Sequence, residues 1–209
     1  MIKVFKMSLL ITIILLLVVL SFCFLLWILI PKFLETPAYI VKLSDSNFQI
    51  RSYDSFITTR VAISGKQNEV LRKGFRPLVR FIGAKERSSE KISMTVPVMQ
   101  EKTSLEGNWL VSFSMPSKYS LDNLPKPLND SLKQQLVPKK LMAVITFNGH
   151  ATEALLEKKE IELRKWIKER NLSIVGLAHY YFYNDPTTPG VFRRNEVLLE
   201  ISRQEALLD

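Results

Sequence analysis

One cysteine, two histidines and seven glycines are all that 209 residues hold of the types that build disulfide frameworks, metal centres and phosphate-binding loops. The cysteine, Cys23, lies inside an apolar run, so the rest of the chain can form neither a disulfide nor a cysteine-ligated metal site. G-x-S-x-G, G-x-x-x-x-G-K-[ST], H-E-x-x-H and G-x-G-x-x-G are all missing, and with them the local chemistry of serine hydrolases, P-loop enzymes, zincins and dinucleotide-binding folds. No enzymatic role is expected. Acidic residues are also short, 20 against 29 basic ones, for a net charge of +9. Such a surplus suits nucleic acid or anionic lipid. Zinc-finger spacing, an aromatic RNP pattern and a basic helix followed by dimerising heptads are absent, so nucleic acid is not expected as a partner.

What is present begins with residues 8–30, which carry no charge and end at Pro31-Lys32. As a helix rising about 1.5 Å per residue, this run is long enough to cross a bilayer and to meet membrane lipid along its length. The competing reading is a cleaved secretory signal, whose apolar core is usually about 7 to 15 residues and ends in small residues. Here the run continues through Phe24, Leu25, Leu26, Trp27, Ile28, Leu29 and Ile30. A lipid-modified Cys23 is not expected, because bulky Phe22 precedes it. Lys3 and Lys6, with no acidic residue beside them, favour a cytoplasmic N-terminus and an extracytoplasmic remainder. The expected organisation is therefore a tail and single-pass anchor over residues 1–31 and one folded domain over 32–209.

Within that domain the pattern alternates between strand and helix periods. Residues 40–43, 48–53 and 56–64 read as strands, and Ser64-Gly65 breaks the last of them. From 66 to 82, Leu71, Phe75, Leu78 and Ile82 recur at steps of four, three and four, as a buried helix stripe requires, and Gly83 is a natural stop. Residues 91–100 and 108–115 follow as strands. The same order then returns: a strand over 141–147, a break at Asn148-Gly149, a helix over about 152–170 with Leu156, Leu163 and Ile167 inside, and strands over 174–183 and 195–202. Glu160 and Arg164 form an i,i+4 pair expected on the exposed side, and Asn171 suits the C-terminal cap. The fold class is α+β, with two β-α-β-β halves joined by a proline-bearing surface linker over 116–140.

Few residues stand out for chemistry. His150 follows a turn glycine, and His179 alternates with Tyr181 and Tyr183 along one strand face; neither sits in a ligand motif. Arg72, Arg76 and Arg80 lie at i, i+4 and i+8 beside the apolar stripe of the first domain helix. They form either a solvated face or a set of guanidinium forks able to hold carboxylates of an otherwise apolar ligand. Pro77, near Gly74, removes one helical hydrogen bond and should kink the helix there.

Several strings then recur in a known order. Glu69-Val70-Leu71-Arg72 runs through Phe75 to Phe81-Ile82-Gly83, and Lys91-Ile92-Ser93-Met94-Thr95-Val96-Pro97-Val98 follows. Phe113-Ser114-Met115-Pro116, Phe147-Asn148-Gly149, Tyr183-Asn184-Asp185-Pro186 and Arg193-Arg194-Asn195-Glu196-Val197 complete the series. Together they resemble the SOUL family of haem-binding proteins over about residues 37–202. The resemblance implies a twisted eight-stranded barrel with two long helices, built from duplicated halves, and haem or another porphyrin as ligand. The cleft residues it carries onto this chain are Arg72, Phe75, Val79 and Arg80, with the loop before Arg193 closing the other side. Some members place a histidine, proposed as an iron ligand, just before the tyrosine equivalent to Tyr53; here that position is Ser52. A lysine found in some closing loops is also missing from Thr187-Thr188-Pro189-Gly190. Binding without a strong axial ligand fits a carrier, buffer or sensor, and the alternative is a module for another amphipathic small molecule or lipid. Protein partners are not indicated.

Overall fold

A computed structural model describes residues 2–29, 33–85 and 90–202, and its chain divides into two compact units, Met1–Leu34 and Glu35–Asp209. In the first unit, helix α1 spans Ile2–Leu29, and its window Leu10–Trp27 is long and apolar enough to cross a membrane or to be a signal sequence. Its apolar side chains are distributed all round the helix rather than on one stripe, which suits a uniformly apolar surrounding.

The second unit is a mixed α+β domain around one antiparallel sheet. Its strands are β1 (Tyr39–Asp45), β2 (Phe48–Tyr53), β3 (Phe56–Ser64), β4 (Val98–Lys102), β5 (Asn108–Ser114), β6 (Leu132–Val137), β7 (Lys140–Phe147), β8 (His179–Phe182) and β9 (Asn195–Glu200). Helix α2 (Gln67–Ile82) follows β3, and α3 (Glu153–Glu169) follows β7. The spatial order β1-β2-β7-β9-β8-β4-β5-β3-β6 explains the repeat seen in the sequence. Half one contributes β3-β5-β4 with α2, half two contributes β7-β9-β8 with α3, and the halves meet where β4 pairs with β8. Gly65 and Gly149, at the two equivalent breaks, have φ of +138° and +116°, a region costly for any residue with a Cβ.

Among the described residues nine strands form the sheet, where eight were expected. The ninth is β6, hidden in the 116–140 segment: its Leu132 is buried beneath α2, while the other apolar side chains alternate too weakly to reveal a strand. The strands around 91–100 and 174–183 are shorter than their sequence pattern, with regular pairing confined to Val98–Lys102 and His179–Phe182.

Each helix covers its own apolar cluster on the same face of the sheet. Val70, Leu78, Phe81 and Ile82 of α2 pack on Val61, Val111 and Phe113, while Leu156, Leu163 and Ile167 of α3 pack on Ala143, Ile145, Val197 and Leu199. Met99, Val144 and Leu198 point to the opposite face, which neither α2 nor α3 covers, and are still almost completely buried. The sheet must therefore curl over them as a half-barrel.

Helix α2 is rotated relative to the expected stripe. Its buried side is Val70, Gly74, Leu78, Phe81 and Ile82; Leu71 lies at the margin and Phe75 is 37% exposed. Gly74 is the reason, since a Cβ there would lie 2.6 Å from Val111 Cβ. The helix backbone rests directly on β5 at the one position without a side chain, and that close approach swings Phe75 outward. Pro77 sits within α2 without ending it, and the left-handed residue after the helix is Ala84 rather than Gly83.

Candidate functional site

The rotation of α2 sets the chemistry of its outer side. Positions 72, 75, 76, 79 and 80 share one face of a helix with 3.6 residues per turn. Arg72, Phe75, Val79 and Arg80 are all exposed there, together with Arg76. Phe75 and Val79, 37% and 36% exposed, extend the buried stripe out to solvent. The Phe75 ring is not free to swing, because it meets Phe113 edge-on at 5.4 Å between centroids and 67° between planes. Arg72 and Arg76 make no hydrogen bond or ion pair with any described residue, so both guanidiniums keep their donors for water or a ligand.

The apolar surface continues from α2 towards the second half. Leu71, Val98 and Trp109 are partly buried and touch both apolar clusters, so they floor the junction between them. Trp109 is held by donating from its indole to the Gly65 carbonyl and lies 6.1 Å from the Tyr180 ring. Beyond Tyr180 the surface becomes polar. Its hydroxyl donates to Glu160, which also accepts from Lys102 at 3.0 Å and from Arg164 at 2.8 Å. Glu160 is thus buried, not on the exposed side expected of its pair with Arg164. Burial pushes its carboxyl up, and the three donors more than reverse this to leave it below its ordinary value. Burial and the Glu160 contact push the Tyr180 phenol up.

The other positions singled out in the sequence lie elsewhere. Ser52 is on β2 between Ile40 and Leu141 and away from α2. His150 is exposed before α3, against Gly190. His179 does share a sheet face with Tyr181 and Tyr183, and that face is the half-barrel interior. The loop before Arg193 is fastened by donation from Arg193 to the carbonyls of Thr188 and Pro186, and by Asn148 donating to the Val191 and Arg193 carbonyls.

The Arg193-Arg194-Asn195-Glu196-Val197 string proves to be a fastening. Asn195 donates to the Gly149 carbonyl, and fully buried Glu196 accepts from Arg51 (3.0 Å), Arg194 (2.6 and 3.1 Å), Tyr183 (2.8 Å) and Thr146 (3.3 Å). Two guanidiniums around one carboxylate floor an open depression of about 360 Å³ beside Tyr39, Ser46, Asn47 and Gln49. A second cavity, of about 80 Å³, opens inside the half-barrel among Tyr53, Arg60, Glu101, Gln135, His179 and Tyr181. Nothing in the order of the residues announces this cavity, since its lining comes from six strands. Among the described residues there is no cluster of three or more His, Cys, Asp or Glu side chains able to hold a metal ion.

Residues 34–200 match the SOUL heme-binding protein family, and the chain belongs to it. Membership in that family assigns haem as its ligand class. Comparison with curated proteins gives no match. Among solved structures, the C-terminal domain of EcmrR superposes with a TM-score of 0.55 at 12% identity, covering 74% of this chain and 96% of that one. A hydrolase from Listeria innocua gives 0.53 at 9% identity over 77% and 94% of the two chains. An uncharacterized conserved protein from the same organism gives 0.52 at 11% over 75% and 92%. At these identities the likeness is one of fold alone.

Proposed function

We propose that the outer face of α2 holds haem or a related tetrapyrrole, with Phe75 and Val79 against the macrocycle and Arg72 and Arg80 on its carboxylates. The observation that carries this reading is the exposed Phe75–Val79 pair, braced by Phe113 and bordered by arginines of which Arg72 and Arg76 have no partner among the described residues. An apolar surface bordered by guanidinium forks matches a flat ring that ends in carboxylates. Bound haem would bring that ring, its propionates and a redox-active iron. Helix α2 contains no His, Cys, Met or Tyr, so its residues fit the ring and the carboxylates and offer the iron no axial ligand. Affinity from burial and charge alone favours an exchangeable, non-catalytic role as carrier, buffer or sensor. In this reading α1 anchors the domain on the extracytoplasmic side of a membrane.

The test is a haemin titration of the full chain in nanodiscs, followed by the Soret band. Arg72→Ala and Arg80→Ala should each weaken binding by the worth of a charged hydrogen bond, about 1.5 to 3 kcal/mol. Phe75→Ala should weaken it further. If the Arg72→Ala/Arg80→Ala double variant binds haemin like the parent, α2 is not the site. If an unrelated amphiphile quenches Trp109 with equal or higher affinity and displaces haemin, the cleft serves another apolar acid.

A further inference from the structure

The 80 Å³ cavity inside the half-barrel lies on the opposite face of the sheet from α2 and has unmet hydrogen-bonding needs of both signs. The Gln135 Oε1 acceptor and His179 Nδ1 are buried there without a hydrogen-bond partner. His179 Nδ1 comes within 3.5 Å of Glu101 Oε1 but outside hydrogen-bond geometry. Arg60, half-buried on β3, forms no hydrogen bond or ion pair with a described residue, and the Tyr181 hydroxyl has no partner among them either. Lys140, also in the lining, is already committed to Glu200 at 2.8 Å. Buried groups left in this state cost free energy until something pairs with them.

Size and charge narrow what that something is. The cavity exceeds the roughly 10–15 Å³ that one water requires, and falls short of the roughly 150 Å³ that admits benzene. A macrocycle is excluded, and a ligand of a few non-hydrogen atoms is admitted. Arg60 and the Tyr181 hydroxyl call for an acceptor of negative charge, whereas Glu101 and Gln135 Oε1 call for N–H donors. A simple anion would face the Glu101 carboxylate, and a simple cation would face Arg60. We infer that the half-barrel interior is a second binding site, for a small zwitterion carrying a primary ammonium and a carboxylate. The carboxylate sits on Arg60 and Tyr181, and the ammonium donates to Glu101 and Gln135. Burial pushes the Glu101 carboxyl up, and His179, Lys140 and Arg60 more than offset this, so the group stays ionised to receive the ammonium.

The experiment is ligand-observed NMR and calorimetry on the full chain in nanodiscs, with glycine and β-alanine as probes. Acetate, methylammonium and glycine betaine serve as the anion, cation and N–H-free controls. One of the two amino acids should bind saturably, at least tenfold tighter than any control. Arg60→Met, Glu101→Gln and Gln135→Leu should each weaken that binding at least tenfold. Gln135 lies on the edge strand β6, so its substitution tests the site at the least risk to folding. No saturable binding of either amino acid, equal binding of acetate, methylammonium or betaine, or unchanged binding in the three variants would overturn the assignment. Haemin titration of the same samples separates this site from α2, because loss of either response leaves the other standing.

Discussion

Substituting Glu196 by glutamine should cost about 3 kcal/mol of stability, and almost all of that cost traces to one neighbour. Arg51 has a side chain only 3% exposed, and its charge is balanced by Glu196 at 3.0 Å. Arg194, the other guanidinium on the same carboxylate, is 42% exposed and can turn to water. Breaking a buried pair from one side costs about 3 to 5 kcal/mol. The low end applies because Arg51 keeps its bonds to Gln49 Oε1 and the Tyr53 hydroxyl. For a chain of this size that is a fall in Tm of roughly 6 to 12 °C, readable from Trp109 and Trp166 fluorescence on heating. The pH dependence has a definite sign. Burial pushes the Glu196 carboxyl up, but Arg51 and Arg194 hold it below its ordinary value. The unfolded chain therefore takes up this proton first, so the stabilisation is full above about pH 4.3 and disappears as pH falls through the lower, folded value. Glu196→Gln should flatten that acid limb. The reasoning is refuted if Glu196→Gln loses less than about 1 kcal/mol, or if Arg51→Met/Glu196→Leu is as unstable as the two single changes combined, since an apolar replacement of the whole pair should be nearly neutral.

Gly74→Ala should destabilise the domain by about 1 to 2 kcal/mol, because overpacking against Val111 outweighs the roughly 1 kcal/mol of helix propensity gained; thermal unfolding of the single and Gly74→Ala/Val111→Ala variants checks both the sign and the relief. Tyr180→Phe should cost about 1 to 2 kcal/mol by removing a buried donor from Glu160, with haemin affinity within threefold of the parent. Protease added to right-side-out vesicles should digest the domain, and protection until the membrane is opened would reverse the proposed topology.

The parts of the fold that were legible are those where a local period survives. Leu156, Leu163 and Ile167 revealed α3 because all three enter one core, and Thr152 caps the helix by accepting from Leu155 N–H. Gly65 and Gly149 revealed the duplication because both turns need a left-handed residue. The rotation of α2 was not legible, since it depends on Val111, 37 residues away, meeting the bare backbone of Gly74. For the same reason Phe75, expected in the core stripe, stands at its exposed margin. Glu160 reads along the chain as a surface partner of Arg164 because Lys102 and Tyr180, which bury it, arrive from strands that the linear pattern does not place beside α3. The curl of the sheet likewise hides the Glu101–His179 cavity: alternation in β4 and β8 says which residues share a face, and only the register Glu101↔His179 brings the two together.

The internal duplication also supplies a control for the proposed haem face. Helices α2 and α3 occupy equivalent positions on the same side of one sheet, so whatever distinguishes their outer surfaces reflects divergence of chemistry on a shared frame. On α3 that surface is balanced: Lys159 pairs with Glu162 and Lys165 with Glu169, while Arg164 reaches inward to the buried Glu160. Ile161 is the large apolar side chain exposed there. On α2 Lys73 pairs with Glu69 in the first half of the helix, and the Phe75–Val79 strip is bordered by arginines with no acidic residue of the helix itself from 70 to 82. Solubility alone would have been served by the α3 pattern in both halves. An apolar strip left exposed beside cationic forks, on one copy of a duplicated frame, is better explained by a ligand with an apolar body and acidic ends. Exchanging the exposed α3 pattern onto α2, by Arg72→Glu with Val79→Lys, should therefore abolish haemin binding while leaving Tm within a few degrees. Retained binding would move the site off α2 altogether.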